Sequence, residues 1–183
     1  HDIRDVTQES IGHVMGMVLQ EPFLYSESIA ANIRFNHADV TDEQIEAAAI
    51  AVGAHDFIVK MPHGYETVLE QRGANLSLGQ RALVSMARAI VSDPRILMLD
   101  EATANMDSDT EHKLQEALRV VLKGRTSLLI AHRLSTITGA DKIVVLEHGN
   151  LVEVGKHQEL LGQGGVYAGL YAMNFGEDPT LSV

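Results

Sequence analysis

The chain has 183 residues, 45% hydrophobic and 21% charged, enough apolar material for one domain core or a domain with a small inserted subdomain. Fourteen basic against twenty-five acidic side chains leave a net charge of −11, which argues against a nucleic-acid binder because no basic excess is available to displace phosphate counterions. The absence of cysteine excludes disulfides and thiolate metal sites, the lack of tryptophan with only 4% aromatic residues argues against stacking platforms for single-stranded nucleic acid, and no apolar run approaches the roughly 20 residues of a spanning helix.

The opening HDIRDVTQES contains no apolar signal core and reads as the middle of something longer. The first predicted strand is Met15 to Leu19, followed by Gln20-Glu21-Pro22. From about Pro22 to Ser92 strand character gives way to helix. Thr41 with Gln44 three residues on is a capping box, and the Ala-rich helix it opens is predicted to stop at Gly53. Met61-Pro62 and His63-Gly64 mark a loop. Ser77 and Gln80 form a second capping box, after which Leu83, Met86, Ala87, Ile90 and Val91 share one helical face until Asp93-Pro94.

A strand is predicted at Ile96 to Leu99, and a third capping box at Ser108 and Glu111. Its helix puts Leu114, Ala117, Leu118, Val121 and Leu122 inward and ends at Gly124. Strands follow at Ser127 to Ala131 and Lys142 to Leu146, the second turning through His148-Gly149-Asn150 into Leu151 to Val154. A short helix and a helix from Val166 close the ordered pattern. Short β-branched runs alternating with amphipathic helices predict an α/β domain with a mostly parallel sheet.

Three predicted strands end in polar residues: Leu19 into Gln20, Leu99 into Asp100-Glu101, and Ala131 into His132. Each alone reads as an ordinary loop residue. Together they matter if the strands are neighbours, because open parallel sheets bind ligands outside their carboxyl ends. Ile96-Leu97-Met98-Leu99-Asp100-Glu101 is a Walker B pattern, in which a buried strand aims Asp100 at a Mg²⁺ shell and Glu101 can polarise an attacking water. The helix start at Ser77-Leu78-Gly79-Gln80 offers free amides suited to a phosphate, although most capped helices simply begin.

Leu76-Ser77-Leu78-Gly79-Gln80 with Arg81 and Ala87-Arg88-Ala89, then Leu99-Asp100-Glu101-Ala102-Thr103, then Ala131-His132-Arg133-Leu134-Ser135-Thr136, resemble the nucleotide-binding domain of an ATP-binding-cassette transporter. Val18-Leu19-Gln20-Glu21-Pro22 resembles that family's Q-loop, and Ile3 to Val6 and Gly165 to Tyr171 lie where such domains carry similar residues. The resemblance implies a partial P-loop NTPase (RecA-like) fold, an α/β core of mostly parallel sheet with an inserted α-helical subdomain. Residues 1–21 and 93–175 would be core, about 22–92 the helical subdomain, and 176–183 a tail.

The resemblance also implies roles. Gln20 and Asp100 would serve Mg²⁺, Glu101 would be the catalytic base, and His132 would hold the γ-phosphate of ATP. Ser77, Gly79 and Gln80 would be the signature motif facing ATP on a second nucleotide-binding domain, and Asp107 the aspartate of the D-loop. Gln71-Arg72-Gly73-Ala74-Asn75 and His132 to Ile137 resemble exporters rather than importers. Partners would be that second domain, in a homo- or heterodimer, and a transmembrane domain, with the chain on the cytoplasmic face of a membrane.

The resemblance has departures. No G-x-x-x-x-G-K-[ST] phosphate loop occurs, and Gly155-Lys156-His157, the nearest match, reads as a loop. A domain lacking its first third is the expectation, with an exposed apolar patch, poor stability on its own and no turnover of ATP by the isolated chain. Leu78 stands where the signature usually has its first glycine, Gln71 replaces an acidic residue, and Ala104-Asn105-Met106 replaces the usual D-loop residues. Alternatives are a soluble cassette ATPase outside transport, or a short non-catalytic module that binds a full-length domain. A metal hydrolase built on Asp100, Glu101 and His132 is a remoter one.

Overall fold

Three apolar runs, MGMV, ILMLD and TSLLI, pair side by side in parallel as β1 (Met15–Val18), β2 (Ile96–Asp100) and β3 (Thr126–Ile130), with β2 in the middle. The computed structural model describes residues 2–100, 108–131 and 134–175. Met15 lies opposite Ile96 and Val18 opposite Leu99, while Ile96 lies opposite Thr126 and Asp100 opposite Ile130. The strands are those expected, each displaced by a residue or so at its ends.

Alternation along the strands divides the sheet into two unlike faces. Val18, Leu97 and Leu99 are buried with Val84, Ala117 and Val121 in one apolar cluster. Gly16 lies on the same face, where a β-carbon would strike the Ala89 carbonyl and approach Leu97 and Pro94. On the opposite face Met17, Ile96, Leu128 and Ile130 are exposed, Leu128 by 64%. An apolar patch was expected, and among the described residues exposed apolar side chains gather on this face of the three strands, with Met15 and Met98 half-buried among them.

The residues between β1 and β2 are helical, as expected, and most helices start at a visible cap. Ahead of β1, Thr7 accepts from Ser10 N to open α1 (Gln8–Val14); after it, Ser28 accepts from Ala31 N ahead of α2 (Ile29–Arg34). Thr41 and Gln44 exchange two hydrogen bonds, of 2.8 and 3.3 Å, to open α3 (Asp42–Ala51). That helix runs out at Val52, and Gly53 takes φ +75°, a conformation that favours glycine. A single turn, α4 (His55–Ile58), and two 3₁₀ turns, Gly64–Glu66 and Gln71–Gly73, lead to α5 (Leu78–Ile90).

Helix α5 is the axis of this region. Leu83, Met86, Ala87, Ile90 and Val91 are buried as its periodicity predicts, but so are Ala82, Val84, Ser85 and Ala89. One apolar face was expected. Instead α2, α3, α6 (Ser108–Leu122) and β1 all contact α5, and small alanines and a serine let neighbours approach on the sides. Helix α6 buries Leu114, Ala117 and Val121, with Leu118 and Leu122 partly covered. The cap expected from Ser108 lies outside the described side chains. Each fully buried aliphatic side chain contributes about 1.5–3 kcal/mol, so a truncation at Val84 or Leu97 is felt across the cluster.

The chain divides into two compact units, His1–Ile130 and Ala131–Val183. In the second, α7 (Leu134–Thr138) precedes an antiparallel hairpin of β4 (Ile143–Glu147) and β5 (Asn150–Gly155). His148 and Gly149 both take positive φ, +50° and +80°, as a tight primed turn requires. Gly155-Lys156-His157, expected as a loop, is a direct strand-to-helix junction into α8 (His157–Gln163), and the Glu159 carboxylate reaches back to Lys156 N at 2.9 Å. Val145, Leu160 and Tyr167 form a small core beneath α9 (Val166–Phe175). Glu153 caps that helix, accepting from Val166 N at 2.7 Å and Tyr167 N at 2.9 Å. Among the described residues no helix is long and apolar enough to cross a membrane.

Candidate functional site

Because β1, β2 and β3 are parallel and adjacent, their carboxyl ends lie along one edge. Strand β1 ends at Val18 and Gln20 follows two residues later, solvent-exposed. Strand β2 runs to Asp100, half-buried, on the same face as Ile96 and Met98 by the alternation of the strand. Gln20, just beyond β1, and Asp100, the last residue of β2, therefore lie at the same edge. Glu101, Asp107 and His132 lie outside the described residues.

A carboxylate and a carboxamide are oxygen donors that suit a hard divalent cation such as Mg²⁺, which keeps several waters and takes few protein ligands. Among the described residues no group of three His, Cys, Asp or Glu side chains could hold a metal ion by itself.

The start of α5 is built from within. Ser77 Oγ accepts from Gln80 N at 3.2 Å, and Gln80 Oε1 accepts from Ser77 N at 2.9 Å. The expected capping box is formed, with Ser77 exposed and Gln80 half-buried. The Ser77 hydroxyl keeps its own proton to donate. The loop ahead is held by Asn75, whose Oδ1 accepts from Glu70 N and whose Nδ2 donates to the Val68 carbonyl, and by Arg81, which donates to the Leu76 carbonyl at 3.0 Å. Arg72 and Gly73 both take positive φ in that loop. Gly79 is buried, and its missing β-carbon leaves room for the methyl group of Thr110 from α6. The close approach visible at Gly79 is thus between helices α5 and α6.

A third assembly, between Gln20 and α5, was not anticipated. Asn32 on α2 is 1% exposed. Its Oδ1 accepts from Tyr25 N at 2.8 Å and its Nδ2 donates to the carbonyls of Tyr25 and Ser28 at 3.0 Å. Arg88 in the last turn of α5 donates from Nε to the Asn32 carbonyl, from Nη2 to Asn32 Oδ1, both at 2.7 Å, and from Nη1 to the Phe23 carbonyl at 2.8 Å. Its guanidinium lies 5.8 Å from the Tyr25 ring centre and 5.1 Å from that of Phe35. Burial pulls Arg88 below its ordinary pKa, against a smaller upward influence of Tyr25. The only clues in the sequence are local: Asn32 interrupts the apolar stripe of Ile29, Ala30 and Ile33, and Arg88 sits between alanines in an apolar helix.

Comparison with known proteins shows the family and the fold. The family model described as "ABC transporter" matches residues 1–104. The uncharacterized ABC transporter ATP-binding protein YknV of Bacillus subtilis (strain 168) is 51% identical over 168 residues, covering 92% of this chain and 28% of the relative. The ATP-dependent lipid A-core flippase of Syntrophus aciditrophicus (strain SB) is 46% identical over 178 residues, covering 97% of this chain and 30% of the relative. A solved structure of a bacterial Atm1-family ABC exporter with ATP bound superposes with a TM-score of 0.85 at 39% identity, over 97% of this chain and 31% of that one. The chain spans less than a third of the length of these relatives.

Proposed function

The chain belongs to the ABC transporter family, and on that premise we propose that it is part of the nucleotide-binding domain of an exporter that hydrolyses MgATP to drive transport. The fold is the α/β, parallel-sheet fold of an exporter's nucleotide-binding domain. The observation that carries the reading is the shared edge of β1 and β2, with Gln20 and Asp100 at neighbouring strand ends; the capped start of α5, with Ser77 exposed and Gln80 half-buried, supports it. Under this reading residues 1–21 and 93–175 are core and 22–92 are the helical subdomain.

Roles follow from chemistry. Asp100 and Gln20 offer oxygens to Mg²⁺, which when bound offsets charge on the β- and γ-phosphates. Glu101 accepts the proton of the attacking water, and His132 donates to the γ-phosphate. Ser77 and Gln80 face the phosphate held by a second nucleotide-binding domain, with free amides of the α5 N-terminus behind them. Asp107 communicates across that dimer. A transmembrane domain is the other partner, and the chain works at the cytoplasmic face of a membrane, with no nucleic acid involved. The 183 residues alone hold no G-x-x-x-x-G-K-[ST] loop, so by themselves they neither bind ATP tightly nor turn it over.

Calorimetric titration of Mg²⁺-ATP into the 183-residue chain and into the complete transporter tests this. The expected result is no saturable heat up to about 1 mM for the chain and binding near or below that range for the transporter. Micromolar binding by the chain alone would show another phosphate cradle and overturn the account of an incomplete site.

A further inference from the structure

We propose that Asn32 and Arg88 are positioning residues for the segment that follows Gln20: they fasten residues 23–28 to helix α5, so that this segment and the helix beginning at Ser77–Gln80 move as one body. The inference rests on the functional reading above only in what the movement serves.

Asn32 occupies a core position that an aliphatic side chain would fill more cheaply. Its amide is used on both sides. Tyr25 donates to it through N–H and accepts from it through C=O, the two-way pairing of a neighbouring strand, and the Ser28 carbonyl closes the turn. Asn32 thus serves as the pairing partner for an irregular stretch that would otherwise carry unpaired backbone groups.

Arg88 fixes this assembly to α5. Three of its donors go to Phe23 and Asn32 acceptors, two of them main-chain carbonyls and none a carboxylate. Among the described residues no acidic side chain makes an ion pair with Arg88. The guanidinium therefore acts through its planar fork, which lysine cannot reproduce. The Tyr25 and Phe35 rings near the cation are held in a stack 5.4 Å apart. Arg88 lies eleven residues from Ser77 along one helix, about 16 Å. A segment tied at Phe23, Tyr25 and Ser28 to that helix cannot shift without straining these bonds.

The test uses the complete transporter and three variants. Arg88→Lys keeps the charge and loses the fork. Asn32→Asp keeps the acceptor and loses the donors to Tyr25 and Ser28. Val84→Ala loosens the same helix and leaves every hydrogen-bonding group of the clamp in place. For the first two, the Mg²⁺-ATPase kcat should fall about tenfold, the free Mg²⁺ giving half-maximal rate should rise at least about threefold, and KM for ATP should stay within about twofold. Hydrogen exchange of the peptide covering residues 22–28 should speed about tenfold, with peptides of α3 unchanged. Val84→Ala should speed exchange across the whole cluster, α3 included, rather than at 22–28 alone, and leave the Mg²⁺ requirement and KM within about twofold. Equal effects in Val84→Ala and Arg88→Lys, or unchanged exchange at 22–28 in both clamp variants, overturns the proposal. If Arg88→Lys does not fold, Asn32→Asp gives the same reading. A wild-type transporter without Mg²⁺-ATPase activity overturns the functional reading, and exchange alone then decides the clamp.

Discussion

Gly79 and Thr110 meet so closely across the α5–α6 contact that a β-carbon at position 79 would land on the threonine methyl group. The glycine that the sequence offers as a phosphate contact is thereby also a packing residue, and the two helices begin side by side.

Gly79→Ala is accordingly expected to destabilise the fold by about 1–3 kcal/mol through overpacking. Thr110→Ser deletes the methyl and keeps the hydroxyl. In the double variant most of the loss should be regained, giving a coupling of about 1 kcal/mol or more in a urea-unfolding cycle. Additive losses would show that the contact does not limit the site.

At the strand edge, Asp100→Asn in the complete transporter should leave the thermal midpoint nearly unchanged and lower Mg²⁺-ATPase activity by about 100-fold or more. Glu101→Gln should lower turnover by about 100- to 10,000-fold while ATP still binds. Steady-state rates with equilibrium ATP binding separate the two. Wild-type turnover in Glu101→Gln would remove it from the role of base.

Tyr65 supplies a pH dependence. Burial first, and the Glu46 charge second, push its hydroxyl from 10.0 up to about 12, and the hydroxyl lies 3.0 Å from His55 Nδ1. The folded chain holds this proton more tightly than the unfolded one. Its stabilising contribution is therefore whole below pH 10 and is lost as pH rises from there to about 12. Burial also raises Tyr167. An absorbance titration of phenolate should show late-titrating tyrosines, and Tyr65→Phe should remove the latest step.

The uncovered sheet face should make the 183-residue chain self-associate. Leu128→Lys with Ile130→Glu, at positions 64% and 57% exposed, is expected to reduce association in sedimentation experiments. The same change should alter the unfolding free energy by about 0.5 kcal/mol or less. Unchanged association would place the sticky surface elsewhere.

Features set by neighbouring residues were legible in the sequence. The capping boxes at Thr41 and Ser77, the turn at His148-Gly149 and the five strands of the described residues depend on spacings of two to four residues. Long-range arrangement was not. That β2 sits between β1 and β3, and that Thr110 closes on Gly79, are products of packing. Asn32 and Arg88 lie 56 positions apart, and nothing local marks them as partners. Gln20 and Asp100 were legible as strand-end residues, while their common edge needed the strand order. Glu101, Asp107 and His132, the other residues read from sequence, lie outside the described structure.

The central position of β2 has a consequence for how the chain acquires its fold. Met15 pairs with Ile96, 81 positions away, whereas Ile96 pairs with Thr126 after only 30. Closing the longer loop loses more chain entropy, and the difference grows only with the logarithm of length. The β2–α6–β3 unit can therefore assemble first, with β1 joining after the helices that separate it have begun to condense around α5. A stalled chain would present the open edge of β2, the strand that carries Asp100, to any other unpaired strand it met.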